Sequence, residues 1–327
     1  MRTDLKFGLV LPHFGRHASI EKCIEGSIKA EAYGFDSVWV RDHLVFTPYD
    51  MEGADNTHIE GLLVLSAVAS ATKKLTVGTA MTICHRHPIH LAQSFAALSH
   101  LANGRVIMGM GLGGFPHEFT AAGLPSAPAE RARLVKINAD LCRRFWAGEK
   151  VSYQDNYYKF QDVKLKPSPV SPIPIFCGGS TPAACRRVME FGEGWLPARV
   201  THATFSKRMA YLRELCQSAR RQVSTVGVMP LTSVAEDKAT ALKHVNVEAL
   251  INEANKNATW VKPVAGIFST LDDIQGLILA GTPEDIVRET RAYQTAGADF
   301  VVFDLRFRYS DWYQQIDLLG KEVLPAF

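Results

Sequence analysis

The chain has 327 residues, with 47% hydrophobic and 21% charged content and a formal net charge of +3, which is ordinary globular composition. No run of five lysines or arginines and no apolar stretch of membrane-spanning length is present, so a nucleic-acid arm and a transmembrane anchor are excluded. The six cysteines, at 23, 84, 142, 177, 185 and 216, form no CxxC pair and read as free thiols of a reducing, cytoplasmic compartment.

The apolar run in MRTDLKFGLVLPHFG is too short for a signal peptide and reads instead as a strand, Lys6 to Leu11, ended by Pro12. Ile20 to Tyr33 is an amphipathic helix with Ile24, Ile28 and Ala32 on one face, stopped by Gly34. Asp36 to Val40 is the second strand, and Arg41, Asp42 and His43 stand at its end. A long loop with Pro48, Gly53 and Asn56 leads to a helix over Ile59 to Ala71. Leu75 to Thr82 is the third strand, Pro88 opens a helix that Gly104 stops, and Arg105 to Met110 is the fourth strand. It runs into Gly111, Gly113 and Gly114.

Ala129 to Trp146 is a helix with Leu134, Ile137, Leu141 and Phe145 on its apolar face. Two alternating runs around Asp155-Asn156 predict a hairpin before the fifth strand, Pro172 to Cys177. That strand ends in Gly178-Gly179-Ser180-Thr181, with Pro182 opening a helix. Gly194 to Ala198 is a short sixth strand, Ala203 to Val223 a helix, and Val226 to Ala235 the seventh strand. Glu236 to Thr259 reads as a polar helix and Trp260 to Leu279 as a lid. Thr282, Pro283 and the acids behind them start a helix that Gly297 stops, before the eighth strand, Asp299 to Leu305, and a closing helix, Trp312 to Leu324. About eight β-α units with two insertions predict one (β/α)₈ barrel over 1–327, with a hairpin before strand five and a helical lid insertion after strand seven. The alternative, a doubly wound sheet, lacks its glycine fingerprint after the first strand.

In such barrels ligands sit at the carboxyl ends of the strands. His43 there can exchange a proton near neutral pH, with Asp42 beside it; a plain loop histidine is the competing reading. Gly178, Gly179 and Ser180, ahead of a helix start, suit a phosphate, although a tight strand-to-helix turn needs the same residues. Gly111 and Gly113 would let a flat ring lie on bare backbone, or would only relieve crowding. His85, His87, His90 and His117, with His202 and Asp304, raise a metal-dependent barrel hydrolase as an alternative. No GxSxG elbow or P-loop is present.

Four stretches together resemble the bacterial luciferase-like superfamily of flavin- and deazaflavin-dependent oxidoreductases. They are AEAYGFDSVWVRDH, VGTAMTICHRHPIHLAQSFAALSHLANGRVIMGMGLGG, PIFCGGSTPAACRRV with GEGW, and GTPEDIVRETRAYQTAGADFVVF. The HRHP, GR-strand and GxGxG combination is most similar to the branch using the deazaflavin coenzyme F420. The resemblance implies a (β/α)₈ barrel and a two-electron oxidoreductase acting on a small organic substrate with coenzyme F420. The alternative it implies is a monooxygenase using reduced flavin mononucleotide (FMN) and oxygen, served by a flavin reductase. It places Asp42 and His43 near the reactive face of the ring, with His43 as proton donor or acceptor oriented by Asp42 or a backbone group. Ala80 and Met81 match the bulge that backs the ring, often through a non-proline cis peptide. Gly178, Gly179 and Ser180 match the cofactor phosphate loop, and His117 a polar cofactor contact. A homodimer is implied as well, and a cofactor-free, non-catalytic subunit is a further possibility in this superfamily. Deazaflavin sugar-phosphate dehydrogenases carry an acid where this chain has Gly114.

Overall fold

Short β-branched and aromatic runs recur along the chain, and in the computed structural model, which describes residues 5–327, eight of them close into a parallel barrel. They are β1 (Lys6–Val10), β2 (Ser37–Val40), β3 (Thr76–Thr79), β4 (Val106–Gly111), β5 (Ile175–Gly178), β6 (Gly194–Leu196), β7 (Thr225–Val228) and β8 (Phe300–Phe303). Each pairs in parallel with the next, and β8 returns to β1 with Lys6 opposite Phe300. The expected (β/α)₈ barrel is therefore the observed fold. The N-terminal stretch read against a signal peptide begins with residues 1–4, which lie outside the described residues.

The amino-terminal half of the barrel is filled by large rings set against glycines. A Cβ on Gly78 would lie 2.5 Å from Trp39, one on Gly194 2.4 Å from Phe176, and one on Gly227 2.2 Å from Phe300. Trp39 and Phe300 stack at 5.8 Å. This large-to-small matching fills the interior to the density that proteins require.

Outside the barrel lie α1 (Ile20–Tyr33), α2 (Gly61–Ala71), α3 (Pro88–Leu101), α4 (Pro116–Ala121), α5 (Pro128–Trp146), α6 (Pro182–Phe191) and α7 (His202–Ala219). After them come α8 (Lys238–Leu242), α9 (Val247–Lys256), α10 (Pro283–Ala296) and α11 (Trp312–Leu318). The start signals act as read: Thr282 and Asp285 form a capping box at α10, and Gly297 ends it in the left-handed region. No helix among the described residues is long and apolar enough to cross a membrane.

Four local readings change. On α1 the buried residues are Cys23, Gly26, Ser27 and Ala30, while Ile28 is exposed. The helix turns its small residues inward because the Trp312 indole occupies the space beside Gly26. The seventh strand is cut by Pro230, which has no N–H to give a ladder. Its second half, Leu231–Val234, pairs instead with Ile278–Gly281, a strand that starts at the end of the region read as a lid. The polar helix Glu236 to Thr259 divides into α8 and α9, because Asn246 caps α9 through the amide of Ala249. Finally, α4 was not foreseen from the sequence, and it carries His117 and Glu118. The hairpin, Val151–Gln154 with Lys159–Val163, forms as expected around Asp155, whose carboxylate accepts from the amides of Tyr157 and Tyr158.

Candidate active site

The carboxyl ends of the strands gather four groups: the residues after β2, the bulge after β3, the glycines of β4, and the turn after β5. Strand β3 stops at Thr79 because Ala80–Met81 is a cis peptide, and the chain resumes as a short strand, Thr82–Ile83, along β4. The Met81 side chain then lies across the mouth. A Cβ on Gly111 would sit 2.9 Å from its Cβ, one on Gly178 2.7 Å from its Cγ, and one on Gly109 2.7 Å from its sulfur. The glycines of β4 and β5 thus exist to admit Met81, and the result is a flat apolar floor. Gly113 bends away in the left-handed region, and Arg131 from α5 fixes its carbonyl at 2.6 Å.

The pair after β2 separates. Asp42 is buried, and its carboxylate accepts the Ile83 amide at 3.0 Å and the Arg86 guanidinium at 2.6 Å. Burial pushes its carboxyl up, but the bond from Arg86 and its charge outweigh this and hold it below the ordinary range. Asp42 therefore anchors the β3 bulge, and toward His43 it contributes charge, with no hydrogen bond between the two among the described residues.

The carboxylate that holds His43 is Glu118, fully buried on α4. One Glu118 oxygen accepts the amides of Leu44 at 2.8 Å and Val45 at 3.2 Å, and His43 Nδ1 stands 3.2 and 3.3 Å from the two oxygens. Burial pushes the Glu118 carboxyl up, but the bond and charge of His43 with the two amides hold it below the ordinary range. Burial is also the main influence on His43 and lowers its pKa from 6.5, with Arg41 adding to this and Glu118 opposing it. Burial thus favours the neutral imidazole, and because the Glu118 carboxylate can only accept, Nδ1 donates to it and the Nε2 lone pair is left for a ligand. The sequence signal for Glu118 was weak: an acid in an unforeseen short helix, 75 residues from its partner.

His117, one residue earlier, is exposed and turned to the loop after β2, with Nε2 at 3.1 Å from the Thr47 hydroxyl and the Val45 carbonyl. It fastens that loop. Behind His43 lie His58 and His13, with ring centroids 5.5 and 4.9 Å apart along the series. His13 is buried and brought down to about 3 by that burial and by His58.

At the opposite side of the floor, the turn after β5 is held from behind. The Trp195 indole donates to the Gly179 carbonyl at 2.9 Å and Arg208 to the Ser180 carbonyl at 2.9 Å. Trp260, from the segment after α9, donates to the Ser180 hydroxyl at 2.8 Å, leaving the hydroxyl proton free to bond an anion. Thr181 caps α6 by accepting the Ala184 amide, and Pro182, the first residue of that helix, has no N–H to offer. Beside Gly179 lies Arg187, half-buried and without an ion pair or hydrogen bond among the described residues. Burial lowers its pKa, as expected of a cation still lacking its anion.

The groups weighed as metal ligands are dispersed. His85 approaches Asp42 at 3.8 Å, His87 caps α3, His202 bonds Glu289, and Asp304 is engaged by Arg306. Among the described residues no three histidines, cysteines or carboxylates form a metal-holding group.

The luciferase-like monooxygenase family profile matches residues 5–299. The chain belongs to that family. Among its relatives, an F420-dependent glucose-6-phosphate dehydrogenase of Microbacterium testaceum is 36% identical over 95% of this chain and 96% of that protein. An F420-dependent hydroxymycolic acid dehydrogenase of Mycobacterium tuberculosis is 32% identical over 72% of this chain and 64% of that protein. Two solved structures share the fold. One is an F420-dependent secondary alcohol dehydrogenase, with TM-score 0.81 and 22% identity over 99% of both chains. The other is the oxygenating constituent of 3,6-diketocamphane monooxygenase in complex with FMN, from Pseudomonas putida. It matches with TM-score 0.80 and 18% identity over 98% of this chain and 99% of that one.

Proposed function

We propose that this chain is an F420-dependent oxidoreductase that interconverts a small organic alcohol and its carbonyl compound. The observation that carries the reading is His43, fixed on Glu118 at the edge of the glycine-backed Met81 floor. The residues fit the coenzyme at both ends. Gly109, Gly111 and Gly178 keep the floor flat where a Cβ would intrude, and the Gly179–Ser180 turn and Arg187 offer donors to a phosphate. When bound, the deazaflavin supplies two-electron hydride chemistry, and the protein supplies placement and proton handling.

In alcohol oxidation, His43 Nε2 would take the hydroxyl proton, and Glu118 would stabilise the resulting imidazolium. In carbonyl reduction the same nitrogen returns the proton. Asp42 and Arg86 hold the bulge that carries Met81, and Arg131 holds the glycine turn. The relatives named for glucose-6-phosphate lend the coenzyme class rather than the substrate, because the acid expected of those enzymes is Gly114 here. The same cradle would hold FMN, which keeps a flavin monooxygenase with a reductase partner as the second reading.

We also propose a homodimer through α2. That helix is apolar nearly all round, and Leu63 is 70% exposed on it. The test of function is anaerobic incubation with oxidised F420 and a panel of secondary alcohols, following loss of the coenzyme's visible absorbance. Turnover abolished in H43A supports the reading; turnover only with reduced FMN and oxygen opposes it.

A further inference from the structure

Apart from Arg187 at the coenzyme turn, Arg41, Arg86, Arg199 and Arg306 stand at the carboxyl end of the barrel, and three of these four have their anions. Arg41 bonds Glu52 at 2.8 Å, Arg306 bonds Glu52 and Asp304, and Arg86 bonds Asp42 and Glu60. The fourth, Arg199, follows β6 and forms no ion pair among the described residues, although its charge is a minor influence on Glu52. Its guanidinium lies 4.4 Å from the Tyr49 ring centroid, with Nη1 3.7 Å from the Met51 sulfur. A thioether and a ring face leave most of its five donors unused.

Arg199 and His43 are the two ends of one wall. The ring of His43 meets Phe115 at 5.6 Å, Phe115 meets Tyr49 at 5.2 Å, and Tyr49 meets Arg199. Leu44 and Val45, beside His43, are apolar and exposed at 49% and 45%. The wall is polar at both ends and aromatic between them.

We propose that Arg199 binds a carboxylate on the substrate, which is an elongated apolar alcohol or ketone with its reacting carbon at His43. The proposal rests on the reading of His43 as the proton-handling residue. A singly charged group fits because one guanidinium is free; a phosphate monoester, nearly doubly charged, would meet cations already engaged by Glu52 and Asp304. The carboxylate would accept paired bonds from the guanidinium fork, and the body of the molecule would cover Tyr49 and Phe115.

The test is calorimetric binding of 4-phenylbutyrate, 4-phenylbutanamide and 3-phenylpropyl phosphate to the protein saturated with oxidised F420, in wild type, R199Q and R199K. The expected result is acid bound about tenfold or more tighter than amide by wild type. R199Q removes that preference, R199K restores part of it, and coenzyme affinity is the same in all three. Equal binding of acid and amide by wild type, a preference that survives in R199Q, or tighter binding of the phosphate overturns the proposal. If oxidised F420 does not bind, the coenzyme reading fails instead, and the acid-against-amide comparison on the protein alone still decides the role of Arg199.

Discussion

Replacing Glu118 by Gln changes one oxygen to an amide nitrogen at the point where the proton of His43 is decided. The Leu44 and Val45 amides both donate to the same Glu118 oxygen, so the Gln oxygen must stay there. Its NH₂ then takes the place of the second oxygen, 3.3 Å from His43 Nδ1. The retained oxygen, 3.2 Å from Nδ1, can still accept its proton, but the new NH₂ competes for the same nitrogen and favours the tautomer with the proton on Nε2, where the base is needed. The charged hydrogen bond contributes about 1.5–3 kcal/mol, a factor of roughly 10–150. The wrong tautomer adds to this, so kcat/KM for alcohol oxidation should fall on the order of 10²–10⁴-fold. Glu118 raises the His43 pKa, so its loss moves the acid limb of the residual activity to lower pH. In wild type that limb lies below 6.5, activity being present above it and lost as pH falls. The loop amides keep their acceptor, so the melting temperature should move by only about 2–4 °C. The assay is the anaerobic rate of coenzyme reduction against pH, with folding checked by circular dichroism. A folded E118Q variant within threefold of wild type at pH 7 would refute the tautomer argument.

R187A should weaken F420 binding tenfold or more while leaving the phosphate-free deazariboflavin chromophore unaffected, as fluorescence titration of each would show. The two glycines under Met81 should respond differently. G109A places a Cβ 2.0 Å from the Thr79 carbonyl oxygen, which is backbone, so urea unfolding should show a loss of about 1–3 kcal/mol or more. G178A meets only the Met81 side chain, so stability should be nearly kept and coenzyme affinity reduced. Burial pushes Glu52 up, but Arg306 and Arg41 bring it down to about 2 from 4.5. That depression corresponds to about 3 kcal/mol of stability, present above pH 4.5 and lost as pH falls toward 2. E52Q should lack it already at pH 7 and show a flatter acid limb in urea unfolding.

The barrel was legible because its strands are short apolar runs and its helices carry strong caps, such as Thr282-Pro283 and Gly297. Reading failed where tertiary contact overrode pattern. Ile28 looked buried by periodicity, but the Trp312 indole lets only the small face of α1 approach. The strand Ile278–Gly281 is a short segment whose partner, Leu231–Val234, lies 47 residues away in register, so no local signal announces it. The turn at Gly178–Ser180 was visible in composition, since glycine before a capped helix has a local cause, whereas the Met81 bulge, inside an apolar run that reads as one strand, was implied only by the family resemblance. Glu118 and Arg187 were not, because an acid or an arginine on a helix acquires meaning only from what the fold sets opposite it. Asp42 misled for the same reason: adjacency to His43 in sequence places the two side chains on opposite sides of the chain, one to Arg86 and one to Glu118.

The most direct test of the account is titration of the purified protein with oxidised and reduced F420 and with both redox states of FMN, followed by fluorescence and absorbance. The account predicts tight binding of F420 in either redox state, and weak binding of FMN in both. Preference for reduced FMN, or no binding of either coenzyme at the Gly178–Ser180 turn, would contradict it.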